Sequence, residues 1–172
     1  INFSQNPSLE AQFLSISDDI AYNSHDLEDG LKSNLFKLKD LKKIPVLDKI
    51  IIKHIKKMNS YSIDLIIRQI IREIINEMVS DVILTTRNNI KINKIKNLND
   101  IYKTNIQIVT FSDKMKIFDI RIKKFLKQKM YFHKKVKFRT NYGKKVITKL
   151  FISIKRNPKK YTRSRQDNFK TY

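Results

Sequence analysis

The chain has no cysteine and no tryptophan, and only two glycines and three prolines among its 172 residues. Without cysteine there can be no disulfide, thiolate metal ligand or cysteine nucleophile. Two glycines cannot build a glycine-rich phosphate loop, and so little glycine and proline argues against a turn-rich β-sandwich. No apolar run approaches the roughly 18 residues of a membrane-spanning helix. The opening lacks the basic-then-apolar layout of a secretory signal, so a cytoplasmic location without a membrane partner is expected. Residues 1–31 contain no Lys or Arg at all.

What is abundant is positive charge. Lys and Arg number 37 against 16 Asp and Glu, a net of +21, while 41% hydrophobic residues supply a core. Of the basic residues 29 are Lys and 8 are Arg, beside 28 Ile and 15 Asn. Lys, Ile and Asn rising together is what an AT-rich genome imposes through its codons. Readers of nucleic acid tend instead to favour Arg, whose planar fork grips phosphate and guanine. The charge is unevenly spread: residues 1–31 carry −6, residues 32–112 carry +9 and residues 113–172 carry +18. An acidic opening and a basic end point to a cation site near one and anion contacts near the other. Mutual attraction of the two faces within the fold accounts for the same pattern. Weak binding of single-stranded nucleic acid by the basic end is expected on charge alone.

The hydrophobic pattern is helical throughout. Asn6-Pro7 reads as a helix start with Glu10 in the first turn. Leu9, Phe13, Ile16, Ile20, Leu27 and Leu31 recur at spacings of three, four and seven, predicting one long helix to about residues 30–34. A short helix is expected over Leu38–Lys43, and a longer one over Val46–Lys57. The clearest stripe is Ile63, Ile66, Ile67, Ile70, Ile71, Ile74, Met78 and Val82, predicting a helix from a Ser60 cap to about Asn88. Residues 89–111 read as a short helix near Leu98–Tyr102 and otherwise as extended or loop. Ser112-Asp113 caps a helix through Phe118, Ile122, Phe125 and Met130. Asn141 starts another, through Val146 and Leu150, which Pro158 ends. Residues 160–172 are basic and polar. The expected architecture is all-α, with five to seven helices.

One stretch carries chemistry. In Ser17-Asp18-Asp19-Ile20-Ala21-Tyr22-Asn23-Ser24-His25-Asp26, the residues Asp18, Tyr22 and Asp26 lie at i, i+4 and i+8 along one helical face. A carboxylate can bind a hard cation, a ring can pack on a sugar, and a second carboxylate can accept from a sugar hydroxyl. Acidic residues on a helix are more often simply a solvated face. The three histidines, at 25, 54 and 133, lack metal-ligand spacing. His54 and His133 read as structural or surface residues, with His133 possible near a ligand.

Ser8-Leu9-Glu10-Ala11-Gln12, then Asp18-Asp19-Ile20-Ala21-Tyr22-Asn23 and His25-Asp26-Leu27-Glu28-Asp29-Gly30-Leu31, resembles the hallmark of bacterial deoxyguanosinetriphosphate triphosphohydrolase-like proteins of the HD superfamily. The similarity continues through residues 38–45, Met78-Val79-Ser80-Asp81-Val82-Ile83, Phe111-Ser112, and Lys124-Phe125-Leu126 with Met130-Tyr131 and His133. The resemblance implies a multi-helix HD-phosphohydrolase-type fold, of which this chain is the C-terminal portion. Residues 1–34 would be the helix carrying the last motif of the HD site, and residues 35–172 the phosphohydrolase-associated region. It also implies hydrolysis of a dNTP, dGTP above all, to deoxynucleoside and triphosphate, with Mg²⁺ or Mn²⁺, by a homo-oligomer when complete. By resemblance Asp18 is the last metal ligand and Asp19 its neighbour. Tyr22 packs on the deoxyribose and Asp26 accepts from the 3′-hydroxyl. Tyr131 is a second sugar-lining tyrosine, and Lys123 or Lys124 brings a cation to the phosphates. Phe132 stands where the family commonly has arginine. The His and His-Asp ligands of such a site belong to a segment upstream of Ile1, so the chain is expected to be inactive by itself. His25-Asp26 falls eight residues too late to be that pair.

Overall fold

A computed structural model describes residues 6–56 and 61–162. Every regular element among them is helical: α1 (Leu9–Lys32), α2 (Leu38–Leu41), α3 (Leu47–Ile55), α4 (Ile63–Ile92), α5 (Leu98–Lys103), α6 (Asp113–Leu126), α7 (Lys134–Arg156) and α8 (Pro158–Thr162). One π-type turn, Lys127–Tyr131, follows α6. The all-α expectation holds. None of these helices is long and apolar enough to cross a membrane.

The helix ends follow from their own residues. Ser8, not Asn6, caps α1: its hydroxyl accepts from the Ala11 N–H at 3.4 Å. Asn6 donates instead to the carbonyls of Thr104 and Ile106, tying the entry of α1 to a segment a hundred residues away. At the far end Asn34 adopts φ 52°, Leu35 N–H donates to Gly30 O and Asn34 N–H to Leu31 O, closing the last carbonyls in a Schellman arrangement. The end of α4 repeats it, with Lys94 at φ 52° and Ile95 N–H on Ile90 O. That helix therefore runs to Ile92 rather than Asn88. Asn89, just past the expected end, stays helical and spends its side chain on Ile108 O at 2.9 Å. Ser62 caps α4; Ser60 lies outside the described residues, as does Lys57 at the expected end of α3. Ser112 caps α6 as expected, and Asp81 of α4 accepts from its N–H at 2.8 Å and its hydroxyl at 2.6 Å.

Two compact units result, Ile1–Met130 and Tyr131–Tyr172. In the first, α1 lies along α4, with α6 against α1 and α3 against α4. Leu27, Ile70, Ile74, Met78, Phe118, Ile122 and Leu126 are almost wholly buried in its core. Burial of each such side chain is worth about 1.5–3 kcal/mol against exposure. Phe36 and Phe125 meet edge to face, centroids 4.9 Å apart. In the second unit α7 begins at Lys134, seven residues before the expected start at Asn141, with His133 as its cap. Asn141, the expected start, and Gly143 both sit inside this 23-residue helix, and nothing lies within 4 Å of where a Gly143 Cβ would be. The helix buries none of its residues among those described.

Candidate active-site face on α1

Two anchors fix how α1 presents its outer face. Gln12, 2% exposed, accepts from the Ile108 and Val109 N–H groups at 3.0 Å each and donates to Pro7 O at 2.8 Å. One buried amide thus satisfies two backbone donors of the segment between α5 and α6, which would otherwise be stranded. The second anchor is a polar chain on the seam with α6. Asn23, buried in α1, donates to Asp119 Oδ1 at 2.7 Å. Lys123, one turn along α6, reaches Asp119 Oδ2 at 2.9 Å and Asp19 Oδ2 at 3.1 Å. Burial alone would lower the Lys123 ammonium, but hydrogen bonds and charge from Asp119 and Asp19 outweigh it and raise the group above its ordinary value. It stays charged. At the start of α1, hydrogen bonding from Glu10's own backbone N–H and then from Ser8 holds the Glu10 carboxyl below the usual range.

Beside this seam runs the ladder. Four residues turn a helix by about 400°, so each i+4 step drifts about 40°. From Asp18 through Tyr22 to Asp26 the row therefore leans toward the α6 side. Asp18 is exposed and has no hydrogen-bond or ion-pair partner among the described residues; Tyr22 is 65% exposed; Asp26 is half-buried. Asp19, next to Asp18 but about 100° around the helix, is the one tied to Lys123. Lys124 is exposed, and Tyr131, 46% exposed, belongs to the second unit. The structure thus carries Asp18, Asp19, Tyr22 and Asp26 on α1, with Lys123 of α6 paired to Asp19 alone among them.

Asn23 and Asp119 were not singled out from the sequence. A signal existed: Asp119 falls within the inward stripe Met115, Phe118, Ile122, Leu126, where a carboxylate must find partners. His25 is exposed on α1. His54 is buried and pairs through Nε2 with Glu73 Oε2 at 2.5 Å, and Lys53 joins the same carboxylate at 2.8 Å. There burial alone would raise Glu73, but hydrogen bonds and charge from Lys53 and His54 hold it below 4.5. Cavities of about 250 Å³ at His54 and Tyr61, 430 Å³ at Lys53 and Glu77, and 350 Å³ at Phe36 and Ile63 lie away from the ladder, with none of its residues in their walls. Asp18 and Tyr22 are exposed, while Asp26 is half-buried.

A protein of Pelagibacter ubique named deoxyguanosinetriphosphate triphosphohydrolase-like protein is 45% identical over 161 residues, 94% of this chain and 43% of that protein. The chain is homologous to the deoxyguanosinetriphosphate triphosphohydrolase-like proteins. Relatives of the same name in Bartonella tribocorum and Geobacter sulfurreducens are 35% and 30% identical, over 87% and 96% of the chain. The chain spans only 38% and 43% of these two proteins. No protein-family model matches it.

The resemblance noted in the sequence implies a divalent metal, and the donors present answer in part. Asp18 offers free carboxylate oxygens of the kind a hard cation takes. No group of three or more His, Asp or Glu side chains able to hold an ion occurs among the described residues. They fit one place in such a site, not the whole of it.

Proposed function

We propose that the chain forms part of a metal-dependent dNTP triphosphohydrolase, acting on dGTP and converting a dNTP and water to deoxynucleoside and triphosphate. The reading is carried by homology over 94% of the chain to proteins of that name, and by the Asp18–Tyr22–Asp26 row, exposed at Asp18 and Tyr22, on a firmly anchored helix. Mg²⁺ or Mn²⁺, when bound, would supply the charge that organises water and phosphate. The residues of this chain hold and orient. Asp18 offers one anionic ligand. Tyr22 presents a ring to the face of the deoxyribose and leaves no room for a 2′-hydroxyl. Asp26 accepts from the 3′-hydroxyl. Asp19 stands beside the ligand position. Lys123 as a phosphate contact would have to exchange Asp19 for phosphate, whereas Lys124 is exposed. By resemblance Tyr131 is a second sugar-lining tyrosine. The division at residue 34 is one of chemistry, since α1 packs on α4 and α6. The active enzyme is a homo-oligomer of the longer protein.

The 172-residue chain, assayed with each dNTP and Mg²⁺ or Mn²⁺, should release no triphosphate; Asp18-dependent turnover by the chain alone would defeat the partial-site reading. The positive test is a chimera in which this chain replaces its counterpart in the Pelagibacter ubique relative. Asp18→Asn in that chimera should abolish hydrolysis with folding intact, and Tyr22→Ala should admit ribonucleotides. A second reading, a basic module gripping nucleic acid, draws on α7, which has no acidic residue and no buried one.

A further inference from the structure

α7 combines charge of one sign with an apolar stripe that nothing among the described residues buries. Its 23 residues include nine Lys and Arg and no Asp or Glu. At about 100° per residue, Val136, Val146, Ile147, Leu150, Phe151 and Ile154 fall within one arc of about 140°. Seven of the nine cations, from Lys144 and Lys137 round to Lys149, fall in the opposite arc. Phe138 and Ile152 stand among those cations. Lys135 and Arg139 lie at one margin of the apolar arc, Arg139 just inside it. The five stripe residues beyond Gly143 are 38–68% exposed, and Val136 is half-buried. Where α8 turns back, the Ser153 and Tyr161 hydroxyls meet at 2.9 Å, beside the apolar arc rather than on it.

The charge decides between the occupants such a stripe could have. Two copies of α7 laid face to face would bring nine cations against nine, with no carboxylate on either helix. A nucleic-acid strand would take the cations, but the stripe offers it one ring, Phe151, and otherwise aliphatic side chains that cannot stack on bases. A bilayer surface rich in anionic lipid satisfies both arcs at once. Acyl chains cover the aliphatic stripe, and headgroup phosphates meet the cations. Lys135 and Arg139 have stems long enough to lift their charge out of the acyl boundary. We propose that α7 is an interfacial helix that lies on an anionic membrane surface with its Val146–Ile154 stripe in the acyl boundary. The proposal does not rest on the hydrolase reading. The expectation of no membrane partner rests on the lack of a spanning segment and of a secretory signal, and a helix lying in the interface needs neither.

The test is co-sedimentation of the 172-residue chain with vesicles of phosphatidylcholine and phosphatidylglycerol, set beside vesicles of phosphatidylcholine alone. Affinity for the anionic vesicles should be higher by about tenfold or more. Ile147→Ser combined with Leu150→Ser should weaken it by about tenfold or more, while binding of a single-stranded oligonucleotide stays as it was. Both residues are exposed, so the urea midpoint of the first unit should not move. Phe151→Trp places a lone tryptophan in a chain that has none. On the anionic vesicles its emission should shift to shorter wavelength and be quenched by lipids brominated in the acyl chains. Failure to bind the anionic vesicles overturns the proposal. So does equal binding by the serine variant, or tryptophan emission that neither shifts nor is quenched, because charge alone then holds the chain at the headgroups. Loss of oligonucleotide binding in the serine variant would give the stripe to nucleic acid, and loss of self-association would give it to a second copy; either result overturns the lipid assignment.

Discussion

Gly30 is a single residue whose identity is explained only by a neighbour. Within a helix glycine costs about 1 kcal/mol relative to alanine, so its presence in α1 asks for a reason. A Cβ on Gly30 would collide with the Phe36 ring, which is 4% exposed and wedged edge-on against Phe125. To admit a Cβ the ring must shift toward the cavity beside it and give up its edge-on contact with Phe125. Gly30→Ala should destabilise by about 1–3 kcal/mol through overpacking, despite the better helix propensity, as read from the midpoint of urea unfolding. A gain in stability would mean that the Phe36–Phe125 pair yields easily. The same lesson holds at Asp119, where a carboxylate on an apolar stripe is meaningful only beside Asn23 and Lys123.

Between elements, the α3–α4 seam carries a titratable link. Glu73 on α4 receives both Lys53 and His54 from α3. Its carboxyl lies below 4.5 in the folded chain, so the folded state releases this proton more readily than the unfolded one. The resulting stability is present in full above the unfolded value and is lost as pH falls through the lower folded value. Glu73→Gln should therefore flatten the fall in stability between about pH 5 and pH 3, while leaving the shape of the curve above it little changed. Denaturation midpoints across that range check this, and a curve as steep as the original would assign the acid sensitivity to other groups. The apolar stripes of α1, α4 and α6 were legible beforehand because helical periodicity is local. The start of α7 was not, because Asn141 and Gly143 are weak breakers on an exposed helix and His133 is an unusual cap.

At the scale of the whole molecule the charge divides the chain: −6 over residues 1–31 and +18 over residues 113–172. On α7 the basic side chains stand beside exposed Phe138, Tyr142, Leu150 and Phe151, and Lys137 lies 4.7 Å from the centre of the Phe132 ring. Such a surface attracts polyanions. Single-stranded DNA should bind without sequence preference, with log affinity falling against log salt by about 0.7 for each Lys–phosphate contact. Titrations of unrelated oligonucleotides at two salt concentrations test it. Tight, salt-insensitive and sequence-selective binding would instead favour the nucleic-acid module over the hydrolase reading.

The sequence by itself determined the apolar stripes of α1, α4 and α6, the row Asp18–Tyr22–Asp26 at i, i+4 and i+8, and the polarity of charge along the chain, because each is written in local spacing or composition. It carried the resemblance to the relatives as well. The tertiary structure alone decided which groups are spent and which remain available. Gln12 meets Ile108 across 96 residues, and Asn23 meets Asp119 across the same separation. Asp18 and Asp19 are chemically equal and adjacent, yet Lys123, brought from 104 residues away, pairs with Asp19 and not with Asp18. No local period encodes that choice. It depends on how α6 packs against α1 and so on the buried contacts of the whole unit.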